Sequence, residues 1–451
     1  MKKIISKFIV FLFVLAAALS GSAGGVYADA SADASSNRIS GNDRIETSLK
    51  ISESGWKDGA DTVVIAQGYG YADALCAAPL AKKYNAPIIL SGQDALSSDT
   101  ISEIKRLKAK QAFVIGGTGS LSTNVESQLK SLGISHLERL GGADRYETSV
   151  KIAQKLENTD NIVIASGEGY ADSLSIAPIA AARGMPILLT GNNSLPDAVD
   201  SYIKGTKVNK TYVVGGVGVV EDSLKNALPN AQRLGGATRF DTNLAILQNF
   251  KSDLNFDNVY IAEGDGPSGD EFADALSGAA LAAQKSALLV LVYKTMTSES
   301  LDFIVGNMSG KTVVTALGGT SVVPDEIVKG VLDDYSKANP NPGNPGSGGG
   351  GGSSTPVQQD TKLVDIDGTD NGGLSLTITE TADKVINIQA SCKNVLDNIT
   401  ITLYDESGNL KYINQAAGSM NLSTVLVSGK YTGFINASST GKTTIPEFTV
   451  K

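Results

Sequence analysis

The 451-residue sequence carries a formal net charge of −9 and 41% hydrophobic residues, a composition of folded proteins rather than of disordered or collagen-like chains. The acidic balance argues against nucleic acid as a partner, since nucleic-acid binders present a basic surface. One histidine, His136, and two cysteines, Cys76 and Cys392, make neither a metal-ligand set nor a disulfide framework, so no cofactor or metal is expected.

In chain order, residues 1–28 read as an export signal: Lys2, Lys3 and Lys7 precede an apolar run from Phe8 to Leu19, and Val26-Tyr27-Ala28 forms the cleavage site. The run is about a dozen residues long, and a membrane-spanning helix needs roughly 20. No membrane partner is therefore expected after cleavage. The end of the sequence, Ile445 to Lys451, has no hydrophobic tail for sorting or lipid attachment, so surface retention is expected to be non-covalent.

Three stretches then repeat. Arg38-Ile-Ser-Gly-Asn-Asp-Arg44, Arg139-Leu-Gly-Gly-Ala-Asp-Arg145 and Arg233-Leu-Gly-Gly-Ala-Thr-Arg239 begin roughly 100 residues apart. Each precedes an apolar run ending in glycine (Val63–Gly68, Ile162–Gly167, Val259–Gly264) and then Tyr71-Ala-Asp-Ala-Leu75, Tyr170-Ala-Asp-Ser-Leu174 or Phe272-Ala-Asp-Ala-Leu276. A second apolar strand follows at Ala86–Leu90, Met185–Leu189 and Ser286–Val290, and a third ends in Gly116-Gly117, Gly215-Gly216 and Gly318-Gly319. A period of this length matches a whole small domain rather than a solenoid unit. Helical patterns such as Arg145–Leu156 alternate with short strands apolar on both faces, which predicts α/β modules, each an open, Rossmann-like parallel sheet with helices on both sides. The expected boundaries are 37–138, 139–232 and 233–335.

These motifs resemble the clostridial cell-wall-binding repeat 2 family over residues 37–335. The resemblance implies three modules in a pseudo-three-fold arrangement that bind an anionic secondary cell-wall polysaccharide without catalysis and anchor a separate region to the wall. Departures fall mainly in the third repeat: Thr238 replaces the motif Asp, Ser286-Ala287 replaces the strand proline, and Gly266–Gly269 lengthens a loop, so a weaker or reshaped site is expected there.

The candidate polymer-binding residues follow from the recurrences. Arg44, Arg145 and Arg239 can grip an anion through paired hydrogen bonds, or form ion pairs with Asp73, Asp172 and Asp274. Those aspartates follow a strand and open a helix, where capping is the simpler role and sugar contact the alternative. Gly116, Gly117, Gly215, Gly216, Gly318 and Gly319 form turns whose amides could cradle a phosphate, or tight turns requiring positive φ. No catalytic residue is assigned, because a lone histidine supports neither a zinc amidase nor a recognisable nucleophile motif. A hydrolase using an unrecognised carboxylate pair is the alternative from another class.

Residues 336–354, rich in Pro, Gly and Ser, read as a tether reaching about 25 Å. Residues 355–451 alternate in short strands such as Leu374–Ile378, Val385–Gln389, Ile399–Tyr404 and Thr424–Val427, which predicts a small all-β sandwich. It would be displayed from the wall, with surface-layer or host proteins as its partners if it acts as an adhesin.

Overall fold

A computed structural model describes residues 34–157, 160–269 and 271–339, and the segments 361–366, 374–380, 386–391, 398–408, 410–417, 419–424, 428–437 and 441–450. The export signal, most of the tether, Cys392 and Val425–Val427 lie outside these residues. The chain divides into two units, 1–344 and 345–451.

The first unit holds three four-stranded parallel sheets. Strands β2 (Thr62–Gln67), β3 (Ile88–Ser91), β4 (Gln111–Ile115) and β5 (His136–Leu140) form the first, in the order β3-β2-β4-β5. The second, β7-β6-β8-β9, comprises β6 (Asn161–Ser166), β7 (Ile187–Thr190), β8 (Lys210–Val214) and β9 (Ala231–Leu234). Val63, Val64, Ile65 and Ala66 on β2 are all fully buried, as a strand covered on both faces must be.

The third sheet corrects the phase of the repeat. It is built from β10 (Asn258–Glu263), β11 (Leu288–Val292) and β12 (Val313–Leu317), and its outer strand is β1 (Ser35–Ile39), from the beginning of the first repeat. Arg38 pairs with Ala316 in parallel register, and Ser35 N–H donates to the Thr312 carbonyl at 3.0 Å. In the same way β5, which carries Arg139, completes the first sheet, and β9, which carries Arg233, completes the second. Each arginine-led strand thus closes the sheet of the preceding module, and the first closes the third. A period read from sequence leaves this phase free, so boundaries at 138/139 and 232/233 cut through β5 and β9.

Helices α2 (Ala78–Lys83), α6 (Ala171–Ala182) and α10 (Ala273–Lys285) pack against one another at the centre of this arrangement. They are rich in alanine and buried nearly all round, the composition of a central helix. Their entry residues meet as well: the ring of Tyr71 lies 5.5 Å from those of Tyr170 and Phe272, which are 6.3 Å apart. The outer helices include α1 (Arg44–Gly55), α5 (Arg145–Leu156) and α9 (Arg239–Asn249), and α5 spans the predicted residues. The last helix of the unit, Asp325–Ala338, continues three residues into the stretch assigned to the tether.

The second unit has two antiparallel four-stranded sheets, β13-β14-β15-β18 and β17-β16-β19-β20. These strands are β13 (Thr361–Ile366), β14 (Ser375–Glu380), β15 (Ile386–Ser391), β16 (Asn398–Asp405), β17 (Leu410–Ala417), β18 (Ser419–Thr424), β19 (Gly429–Ala437) and β20 (Gly441–Val450). Burial alternates along β14 and β19, and residues of both sheets, among them Leu376, Ile388, Ile401 and Ile435, share one core, as in a sandwich.

Candidate functional site

Each double-glycine turn is clamped by the arginine of the strand beside it. Arg38 donates to the carbonyls of Gly318 (2.7 Å) and Val323 (2.8 Å) and to Asp325 (2.6 Å). Arg233 repeats this with Gly215 (2.7 Å), Val220 (2.6 Å) and Asp222 (3.0 Å). Arg139 donates to Gly116 (2.9 Å), Gly117 (3.0 Å) and Glu126 (2.7 Å). This structural role went unassigned in the sequence, although the recurrence of Arg at the motif's first position was its signal.

The first glycine of each turn carries a positive φ: +95° at Gly116, +108° at Gly215 and +99° at Gly318. A Cβ there would also lie 2.5 Å from Oδ2 of Asp73, 2.5 Å from that of Asp172 and 2.3 Å from that of Asp274. The two motifs, separate in sequence, are one contact in space. The capping role expected of the aspartates is therefore corrected. Tyr170 and Phe272 occupy the cap positions of α6 and α10 without a side-chain cap bond, and Asp172 and Asp274 lie in the first turn facing the glycine. Asp73 precedes a short turn, Ala74–Cys76, and makes no cap bond either.

The three aspartates are not equivalent. Asp73 accepts from Ser120 Oγ at 2.5 Å and from Thr148 Oγ1 at 2.9 Å. Val219 and Val322 occupy the position of Ser120 in the other modules and offer no hydroxyl. Burial pushes the carboxyl of Asp172 up to about 6, opposed by nearby Arg239, and that of Asp274 up to about 6, opposed by nearby Arg44. Arg44 and Arg239 thus face the aspartate of the preceding module rather than that of their own repeat.

Arg44, Arg145 and Arg239 open α1, α5 and α9, where the positive end of the helix dipole opposes a cation. Strand-end carbonyls hold them: Arg44 donates to Gly68 (3.1 Å), Arg145 to Gly167, and Arg239 to Gly264 (2.9 Å). Arg239 also pairs with Asp265 at 3.1 Å and lies 5.7 Å from the centre of the Tyr170 ring. The residue before each arginine caps its helix; Thr238 caps α9 through Asp241 N–H at 3.1 Å, so this departure from the motif preserves the local structure.

Two grooves open where modules meet. One, of about 710 Å³, lies between the second and third modules and is lined by Tyr170, Asp172, Gly216, Val217, Ala237 and Arg239 among others. The other, of about 350 Å³, joins the third module to the first and is lined by Asn42, Arg44, Asp274, Gly319 and Val322 among others. The structure therefore places together Arg239, Asp172 and Gly216, and likewise Arg44, Asp274 and Gly319. Gly116, Gly117, Asp73 and Arg145 belong to the corresponding junction of the first and second modules, with Thr148 of the second module reaching Asp73.

The raised carboxyls give a testable sign. A value of about 6 in the fold exceeds the unfolded value of about 4, so the folded chain holds the extra proton between these limits, and the stability it contributes is lost as pH rises through them. Asp274→Asn, neutral throughout, is expected to be about 2 kcal/mol more stable than the unaltered chain at pH 7 and nearly the same at pH 4. Thermal melts at the two pH values check this; a variant less stable at pH 7 would show that the ionised carboxylate is held favourably by Arg44.

Cys76 is buried, its thiol pushed up by burial, and its Sγ contacts the Asp73 carbonyl at 3.4 Å. His136 is exposed on β5. No helix among the described residues is long and apolar enough to cross a membrane.

The comparisons with known proteins agree with this architecture. The cell wall binding domain 2 family matches residues 38–126, 139–225 and 233–328. The chain is 35% identical over 298 residues, 66% of its length, to the N-acetylmuramoyl-L-alanine amidase LytC of Bacillus subtilis (strain 168), of which the match covers 58%. It is 31% identical over 306 residues, 67% of its length, to the amidase enhancer of the same organism, of which the match covers 41%. The chain thus spans about half the length of the curated relatives it matches. The solved structure of Cwp6 from Clostridium difficile aligns with a TM-score of 0.62 at 29% identity, over 67% of this chain and 48% of that one. With three matched repeats covering more than half of its residues, the chain belongs to the cell wall binding domain 2 family.

Proposed function

We propose that this protein is exported and held non-covalently on a bacterial cell wall, its modules binding an anionic secondary wall polysaccharide in the junction grooves while the β-sandwich is displayed. The observation that carries this reading is the recurrence of one groove design, with helix-opening arginine, half-buried aspartate and double-glycine turn, at the second-to-third and third-to-first junctions. Concave surfaces lined by a few convergent polar groups are the usual form of a ligand site. The matched stretch is common to an amidase, an amidase enhancer and Cwp6, which fits a shared attachment role better than a shared catalytic one.

Ala237 and Asn42 occupy equivalent exposed positions on the rims of the two grooves. Ala237→Trp combined with Asn42→Trp fills both without removing a buried contact. The doubly substituted chain is expected to bind wall sacculi at least tenfold more weakly, with its melting temperature within a few degrees of the unaltered protein. Undiminished binding would place the polymer elsewhere. The relation to an amidase supports a second reading, a wall hydrolase, and zymography on purified wall separates the two: a cleared band from the purified chain would establish hydrolysis.

A further inference from the structure

The groove between the second and third modules shares an excess of carboxylates with the third-to-first groove, where Asp43, Glu263, Glu271 and Asp274 line the site with Arg44, and differs from it in its rim. Its described lining residues include three carboxylates, Glu168, Asp172 and Asp265, and one cation, Arg239. That guanidinium is already engaged by the Gly264 carbonyl at 2.9 Å and by Asp265 at 3.1 Å. A phosphate entering here would meet more negative than positive charge, and the one cation would have to give up internal partners to hold it.

The rim is more apolar than those of the other modules. Val217 is 58% exposed and Val219 37% exposed, two of the three large hydrophobic side chains left exposed among the described residues. Both line this groove. The first module has Thr118 and Ser120 at these positions, and the third has Thr320 and Val322, so the paired valines belong to this junction alone. Two β-branched apolar side chains exposed beside a concave polar site offer an apolar surface that a ligand can cover. Carboxylates accept hydrogen bonds from hydroxyl and amide N–H groups, and the valines can cover a methyl or the apolar face of a sugar ring.

We infer that the groove between the second and third modules takes an uncharged sugar unit of the polymer, one carrying an apolar substituent such as an N-acyl methyl, and leaves the polymer's charged links outside. This rests on the groove reading proposed above and names the part of the polymer that enters. Glu168, Asp172 and Asp265 accept from its hydroxyl or amide groups, and Val217 and Val219 cover the apolar substituent. The raised carboxyl of Asp172 fits the same picture, since its protonated form also donates to a sugar oxygen.

Salt distinguishes the two chemistries, because attraction between an anion and an exposed cation is screened and contact with a neutral sugar is not. The experiment measures binding of the full chain to sacculi carrying their phosphodiester-linked polymers, at 50 and 500 mM sodium chloride with EDTA present. Affinity at high salt is expected to equal or exceed that at low salt, since screening relieves repulsion between an acidic protein and an anionic polymer. Val217→Thr combined with Val219→Ser, the residues of the first module, is expected to weaken binding about tenfold with an unchanged melt. Tenfold weaker binding at high salt would overturn the inference while leaving wall binding standing, and so would full affinity in the double variant. Loss of binding on adding EDTA would reveal a bridging cation and overturn it equally. A chain that fails to bind at either salt, with or without EDTA, would remove the wall-binding proposal itself, and this inference with it.

Discussion

Deletion of residues 34–41 is expected to disrupt the third sheet, although these residues stand more than 200 positions before it in the chain. β1 supplies the outer strand against β12 from Ser35 to Ile39, and Arg38 supplies the clamp on the Gly318 turn. Each lost hydrogen bond costs about 0.5–1.5 kcal/mol, and the exposed edge of β12 would offer a template for pairing between chains. Together with burial of Ile39, the loss is on the order of 5 kcal/mol. Hydrogen exchange locates it: Val313–Leu317 and Asn258–Glu263 should lose protection while Asn161–Ser166, in the second sheet, keep theirs. Unchanged protection in β12 would show that the third module is complete without β1.

Gly318→Ala is expected to be strongly destabilising. Its φ of +99° lies where a side chain is strained, at about 1–2 kcal/mol, and the new Cβ would sit 2.3 Å from Asp274 Oδ2. Crowding of that kind adds about 1–3 kcal/mol, for a total of roughly 2–5 kcal/mol and a melt lowered by about 5–10 °C. A double-mutant cycle with Asp274→Ala separates the two causes. Removing the carboxylate should recover the crowding due to Asp274 and leave the backbone part together with the contact on Val322 Cγ2, which would lie 2.5 Å from the new Cβ. A cycle with no coupling would mean that Asp274 does not press on the turn.

Local pattern made much of this architecture legible. The apolar runs became the buried parallel strands, and the 3.6-residue periodicity from Arg145 to Leu156 became α5. The phase of the modules stayed hidden because it rests on long-range pairing, such as that of Arg38 with Ala316, which no local period encodes. At the site, the aspartates and the double glycines were visible as separate recurrences, but their contact was not. The exchange of Ser120 for Val219 and Val322 escaped notice because it falls just beyond the glycines that mark the motif, and it removes one hydroxyl partner from the neighbouring aspartate. The clamp made by Arg38, Arg139 and Arg233 was hidden for the same reason as the phase: each reaches into the preceding module's sheet.

Pull-down on wall sacculi, before and after hydrofluoric acid strips phosphodiester-linked polymers, shows whether the modules attach the chain to a secondary polymer of the wall. The full chain is expected to sediment with untreated sacculi and to stay in the supernatant after the acid. Equal sedimentation with stripped sacculi would rule out a secondary polymer and make peptidoglycan itself the receptor.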